Sequence, residues 1–315
     1  LPLQTGLDPL TRLRQEPFMT EISPPRTLDH LVLPVIDIDV ARNRYQSLGF
    51  TVAPDGRHPF GTENCCIFFK DDTFLEPLGI AQRETCEAKA IRGNTFVAND
   101  QNYRFRRGNE GFSHLVIKSD DARADHAAFK AAGMSGGKMV RFSRAYKDSA
   151  GNKQKVSFHL AFAADRRSPD SGFFACEVLQ PPPGGRGALV EHENGVTGIK
   201  EVVLSEVNPT DFQYFFQMFL DQREMDVDSF GMPLDLNTSK VTVLSPHGMQ
   251  AFYGMEAEKR ERGMRFAAFV LAVNNLAHVK SLLTANNIVF EERQGRIFIA
   301  PTAGQGTTII MEEAQ

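Results

Sequence analysis

Two periodicities alternate along this chain: apolar runs with the two-residue period of strands, and segments whose apolar residues recur at helical spacing. LDHLVLPV reads as a buried strand, and DIDVARNRYQSLGF as a helix stopping at Gly49. FTVAP, NCCIFFKD and FLEPLGI read as three further strands. The order recurs with the strand GFSHLVIKS, the helix DDARADHAAFKAAG and the strands GKMVRFSRAY, KVSFHLAFAA and GFFACEVLQ. It recurs again with GIKEVVLSEV, the helix PTDFQYFFQMFL, and REMDVDSF, SKVTVLS and MQAFYG. The last copy is RFAAFVLAV, the helix LAHVKSLLTANN, and IVFEERQ, RIFIAP and TTIIMEE.

Four copies of one βαβββ order predict an α+β fold of four modules in two pairs. QPPPGGRGALVEHENG cannot continue a strand or a helix and marks the main linker. The expected organisation is a tail over residues 1–25, a module pair over 26–183, a Pro/Gly-rich linker over 184–195 and a second pair over 196–315. The stretch RETCEAKAIRGNTFVANDQNYRFRRGNEG connects the first two copies as a partly helical excursion.

Composition narrows the function classes. The chain has 315 residues, 42% hydrophobic and 23% charged, and a net charge of −4. That balance gives no electrostatic case for nucleic acid or an anionic membrane. No apolar run is long enough for a membrane-spanning helix. Four cysteines at irregular spacing (Cys65, Cys66, Cys86, Cys176) read as reduced thiols of a cytoplasmic protein. The first residues have no apolar signal region, and Met19 is a candidate natural start.

One residue disturbs the strand pattern. His30 sits inside LDHLVLPV, where leucine would pack without needing a hydrogen-bond partner. Aligned on their opening strands, the copies read LDHLVL, FSHLVI, IKEVVL and FAAFVL, so the third position holds His30, His114, Glu201 and Ala268. Aligned on FLEPL and ACEVL, the closing strands of the first two copies place Glu76 opposite Glu177. Side chains alternate across a strand, so equivalent positions face the same way in each module. Two imidazoles and two carboxylates on a shared concave face suit Zn²⁺, Ni²⁺, Co²⁺, Mn²⁺ or Fe²⁺, with positions left for substrate oxygens. The second half keeps only Glu201, with Ala268 and Ala251 in place of its companions, and reads as scaffold.

The element order and these positions resemble the vicinal oxygen chelate superfamily, which includes glyoxalase I, extradiol dioxygenases and fosfomycin-resistance proteins. GRHPFGTENCCIFF followed by FLEPLGI is similar to its glyoxalase-like branch. The resemblance implies metal ligation by His30, Glu76, His114 and Glu177, the glyoxalase arrangement; His30, His114 and Glu177 alone would make a facial triad. It implies a metal-dependent lyase or isomerase working on a small-molecule substrate through an enediolate, with Glu76, Glu177 or His159 as the base. An extradiol-type Fe(II) dioxygenase and a non-catalytic ligand-binding protein are the alternatives. His58 reads equally as a cleft-lining group or a turn residue. Arg141, Arg144 and Lys155 are candidate contacts for an anionic substrate, with solvated charges the commoner case. His126, His192, His247 and His278 are assigned no chemistry, and Cys176 is assigned to packing. The second half is expected to bury surface against the first half or a second subunit, which leaves a homodimer open.

Overall fold

The computed structural model describes residues 24–147, 153–180, 185–257 and 262–314. The first copy contains β1 (Leu28–Pro34), α1 (Ile38–Ser47), β2 (Gly56–Arg57), β3 (Thr62–Asn64), β4 (Ile67–Phe68) and β5 (Phe74–Ile80). The excursion is two helices, α2 (Arg83–Ile91) and α3 (Thr95–Arg107). The second copy contains β6 (His114–Lys118), α4 (Ala122–Ala131), β7 (Val140–Lys147), β8 (Lys153–Ala163) and β9 (Gly172–Leu179). A 3₁₀ turn at Gly187–Val190 leads into β10 (Val196–Ser205), which is followed by α5 (Gln213–Leu220), β11 (Gly231–Asp235), β12 (Lys240–Leu244) and α6 (Pro246–Tyr253). The chain closes with β13 (Arg265–Val273), α7 (Leu276–Ala285), β14 (Glu291–Arg293), β15 (Arg296–Ile299) and β16 (Thr308–Glu313).

The strands form two sheets, ordered β2-β3-β5-β1-β6-β9-β8-β7, with β4 beside β5, and β11-β12-β10-β13-β16-β15-β14. At the centre of each, two opening strands pair antiparallel, β1 with β6 and β10 with β13. The α+β architecture and its two sheets fit four modules taken in pairs. Helices α1, α4 and α7 start where short polar side chains cap them: Asp37 accepts from the Asp39 and Val40 amides, Asp121 from Arg123 and Ala124, and Asn275 from His278.

Three expected strands are absent among the described residues. FTVAP and REMDVDSF run as irregular chain. MQAFYG lies in α6, because Ser245 caps the Gly248 amide, Pro246 takes the first helical turn and Gly254 ends it at φ +59°. Ala251 is therefore a helix residue and occupies no ligand-equivalent strand position. Residues 181–184 of the linker and residues 1–23 of the tail lie outside the described residues.

One hydrophobic core spans both halves. The alternate residues Leu31 and Leu33 of β1, Phe173 and Ala175 of β9, Val202 and Leu204 of β10 and Phe269 and Leu271 of β13 all belong to it. So do Tyr45 of α1, Phe129 of α4, Phe216 of α5 and Leu283 of α7. These four helices thus lie between the two sheets, and the other face of each sheet curls around its own smaller core. The first sheet nearly closes into a barrel. Phe142 of β7 packs against His58 and Phe60 at ring separations of 5.5 and 5.1 Å, although β2 and β7 share no ladder. Among the described residues, no helix is long and apolar enough to cross a membrane.

His192 ties the linker to the first half. Its Nδ1 accepts from the Thr51 amide at 3.0 Å and its Nε2 donates to the Phe68 carbonyl at 2.9 Å, which fixes a neutral tautomer. Burial holds its pKa below the usual value for histidine. The unfolded chain therefore binds this proton at higher pH, so the contribution is complete above about pH 6.5 and is lost as pH falls. Denaturant unfolding between pH 7 and pH 5 should show stability falling more steeply in the wild type than in His192→Gln. Equal slopes would remove His192 from the acid response.

Candidate metal centre

The register decides which side chains meet. In the first sheet, Val32 of β1 lies between Glu76 of β5 and His114 of β6. Directly paired residues share a face, and so does His30, two positions along β1. His30, Glu76 and His114 therefore project inside the barrel, where each is nearly fully buried.

Each is held by a neighbour. A bulge in β1 at Asp29, between the Leu28–Ile117 and His30–Val116 pairs, turns the Asp29 carboxylate onto His30 Nδ1 at 2.7 Å. In the second copy, the Ser113 hydroxyl bonds His114 Nδ1 at 2.8 Å. Both Nε2 atoms are left for the barrel interior. That of His30 faces Glu76 Oε2 at 3.5 Å, and that of His114 is buried with no hydrogen-bond partner. Glu76 Oε1 accepts from the Asn64 amide at 2.6 Å and has His58 Nε2 at 3.8 Å. Gly172 makes room for the His114 ring, since a Cβ there would lie 2.4 Å from Nε2.

Electrostatics divides the four titratable groups. Burial opposes charge on His30, but Asp29 and Glu76 outweigh it and raise its pKa to about 9. Burial works against the Glu76 carboxylate too, yet His30, the charge of His58 and the Asn64 hydrogen bond draw it down to about 2. His58 and His114 are pushed down to about 4, chiefly by burial. At neutral pH His30 is the charged imidazole, and His58 and His114 are neutral.

Glu177 does not join them. Its Oε2 accepts from the Ala122 amide at 3.2 Å and faces His159 Nδ1 at 3.1 Å, on the sheet face that packs against α4. The register gives the reason. His30 pairs with Phe74, two residues before Glu76, and His114 pairs with Gly172, two residues before Phe174. Phe174 is thus the equivalent of Glu76, and the expected alignment on Glu177 is three residues out. An odd offset reverses the face. His159 is displaced to the same outer face, so neither residue reaches the barrel interior. Cys176 does face the interior, as a packing residue beside Phe174.

The Phe174 ring lies edge-on to both histidines, 5.7 Å from each. Phe96 of α3 covers His114 at 6.2 Å. Among the described residues, no group of three His, Cys, Asp or Glu side chains is gathered closely enough to hold a metal ion. An open cleft of about 410 Å³ lined by Lys70, Asp71, Thr197, Gly198 and Lys200 includes none of the interior polar residues.

The other candidates sort by face. His58 is both turn and interior residue, with Nδ1 bonded to the Thr62 hydroxyl at 2.8 Å and its ring stacked on Phe60. Arg144 shares the interior face of β7 with Phe142, while Arg141 and Lys155 are exposed. In the second sheet the same register matches His30, Glu76, His114 and Phe174 with Glu201, Thr242, Ala268 and Ile310. Glu201 there accepts from Thr242 Oγ1 at 2.5 Å and pairs with Lys240 at 3.3 Å. Sequence reasoning missed Asp29, Asn64 and Ser113. The polar residue preceding each histidine, Asp29 and Ser113, was the available signal.

Two curled sheets of paired modules with polar groups inside define the vicinal oxygen chelate class of fold. A family model described as a glyoxalase-like domain matches residues 28–219, more than half of the chain, and the chain belongs to that family. A hypothetical protein from Staphylococcus aureus has the same fold at 11% identity, with a TM-score of 0.64 over 92% of this chain and 100% of that one. A mutant of 4-hydroxymandelate synthase from Streptomyces coelicolor aligns at 13% identity over 91% of this chain and 93% of that one, with a TM-score of 0.55. The Mn(II)-bound glyoxalase from Novosphingobium aromaticivorans aligns at 11% identity over 92% and 83%, with a TM-score of 0.53. A search of curated proteins gives no match.

Proposed function

We propose that this protein is a divalent-metal enzyme acting on a small oxygenated molecule, with His30, His114 and Glu76 as the metal ligands. The observation that carries this reading is the His114 Nε2, buried without a partner on the face that His30 and Glu76 share. A buried imidazole nitrogen left unpaired costs about 1–3 kcal/mol, which a packing role does not explain. The Nδ1 contacts of Asp29 and Ser113 are those that orient metal-binding histidines, and Asn64 orients the carboxylate in the same way. Holding an ion requires the three donors to close on it by side-chain rotation.

A bound divalent ion would supply positive charge where an oxyanion develops. The chain supplies the surroundings. Phe60, Phe96 and Phe174 exclude water, and His58, neutral and beside Glu76, is placed to accept a proton. Phe174 at the fourth position leaves two histidines and one carboxylate, the donor set of non-heme iron oxygenases. This favours the dioxygenase-type reaction over the lyase or isomerase suggested by four ligands.

The test is elemental analysis of the wild type and Glu177→Gln, each purified without chelators and then offered Fe²⁺, Mn²⁺, Zn²⁺, Ni²⁺ and Co²⁺ anaerobically. Both should bind about one ion per chain. A wild type that takes up none of the five, or a Glu177→Gln protein that loses the ion, would overturn the assignment.

A further inference from the structure

Arg144 is the interior group that the metal reading leaves unused. It lies on β7, and its guanidinium stands 5.5 Å from the centre of the Phe158 ring. It also lies over the backbone of β2: a Cβ added to Gly56 would meet Arg144 Nη1 at 2.2 Å and Asn64 Oδ1 at 2.5 Å. Those two atoms therefore flank one point above Gly56, and the same Asn64 side chain bonds Glu76. Arg144 is thus one side chain removed from the proposed ligand set.

Among the described residues nothing acidic neutralises it: Asp29 and Glu76 both lie against His30, and no carboxylate lies within ion-pair distance of Arg144. Arginines brought against a protein interior are ordinarily paired, and a planar fork with free donors suits a carboxylate. The side chains next to it are aromatic: Phe142 and Phe158 stack at 4.9 Å, and Phe60 packs edge-on to Phe142. Such rings offer an edge or an outer face to a flat apolar body.

We propose that Arg144 anchors the carboxylate of an aromatic acid, holding the ring of that substrate against Phe142 and Phe158 at the barrel seam. The proposal deepens the metal-enzyme reading by naming its substrate class. Arg144 is the substrate-recognising residue, and His30, His114 and Glu76 remain the ligands.

Calorimetric titration of the full-length protein with benzoate, phenylacetate and the uncharged benzyl alcohol tests this, with metal content and thermal unfolding measured on every sample. The wild type should bind benzoate or phenylacetate at least about tenfold more tightly than Arg144→Gln does, since a charge-assisted pair is lost. Benzyl alcohol should bind both proteins equally weakly, and Arg144→Lys should recover part of the difference. Metal content and melting temperature should match the wild type in both variants. Carboxylate binding unchanged in Arg144→Gln would overturn the proposal, as would the failure of the wild type to prefer either acid over benzyl alcohol. A metal-free wild type that still shows the Arg144-dependent preference would sink the metal reading and leave this one standing.

Discussion

His114→Leu should abolish metal binding while leaving the metal-free protein at least as stable as the wild type. The buried Nε2 of His114 has no partner, and its ring contacts are Phe96 and Phe174. Leucine removes an unsatisfied group that costs about 1–3 kcal/mol and keeps most of the apolar contact. Removing a direct ligand should weaken the ion by more than roughly the 100-fold that a supporting contact is worth. His30→Leu is the contrast. It deletes the cation between Asp29 and Glu76 and leaves buried carboxylates unmatched, so the metal-free protein should lose about 3–5 kcal/mol. Metal content and denaturant midpoints of the two variants check both statements. A His114→Leu protein as damaged as His30→Leu would make His114 a structural residue.

Phe173→Ala should destabilise the whole chain by about 3–5 kcal/mol, in one transition rather than two. Phe173 is fully buried on β9 and meets Phe215, Phe216 and Phe219 of α5 at 4.9, 5.7 and 5.4 Å, and Phe266 of β13 at 5.6 Å. Those partners belong to the second half, so the cavity opens in the layer that both sheets share. Coincident unfolding traces by far-ultraviolet dichroism and by tyrosine fluorescence would support one cooperative unit. A split into two steps would show that the halves hold themselves up separately.

The element order was legible because each module carries its own strand and helix periods, with caps at Asp37, Asp121 and Asn275. The opening-strand alignment of His30, His114, Glu201 and Ala268 also survives as register, since flanking apolar residues fixed it. The closing strands had no such anchor. Matching Glu76 to Glu177 by residue type ignored the helix-facing pair Leu75 and Phe173, whose burial on the shared core sets the phase. The Asp29 bulge was invisible because no local composition demands it. The sequence offered Arg144 only as one of three candidate anion contacts; closure of the barrel, which brings β7 over Gly56, is what separates it from the exposed Arg141 and Lys155.

The near-closed first sheet has a consequence for life at high protein concentration. A long free strand edge invites a second chain to add to it. Here β7 is eight residues long, but its outer edge faces β2, which spans two, with Phe142 and Arg144 packed across the gap. In the second sheet one edge strand, β14, has three residues, and the other, β11, carries Pro233, which has no amide hydrogen to donate. Among the described residues these edges are short, covered or interrupted, and they offer no template for strand-by-strand polymerisation. Opening the seam beside β7 would expose the one long edge, making that the place from which aggregation would begin.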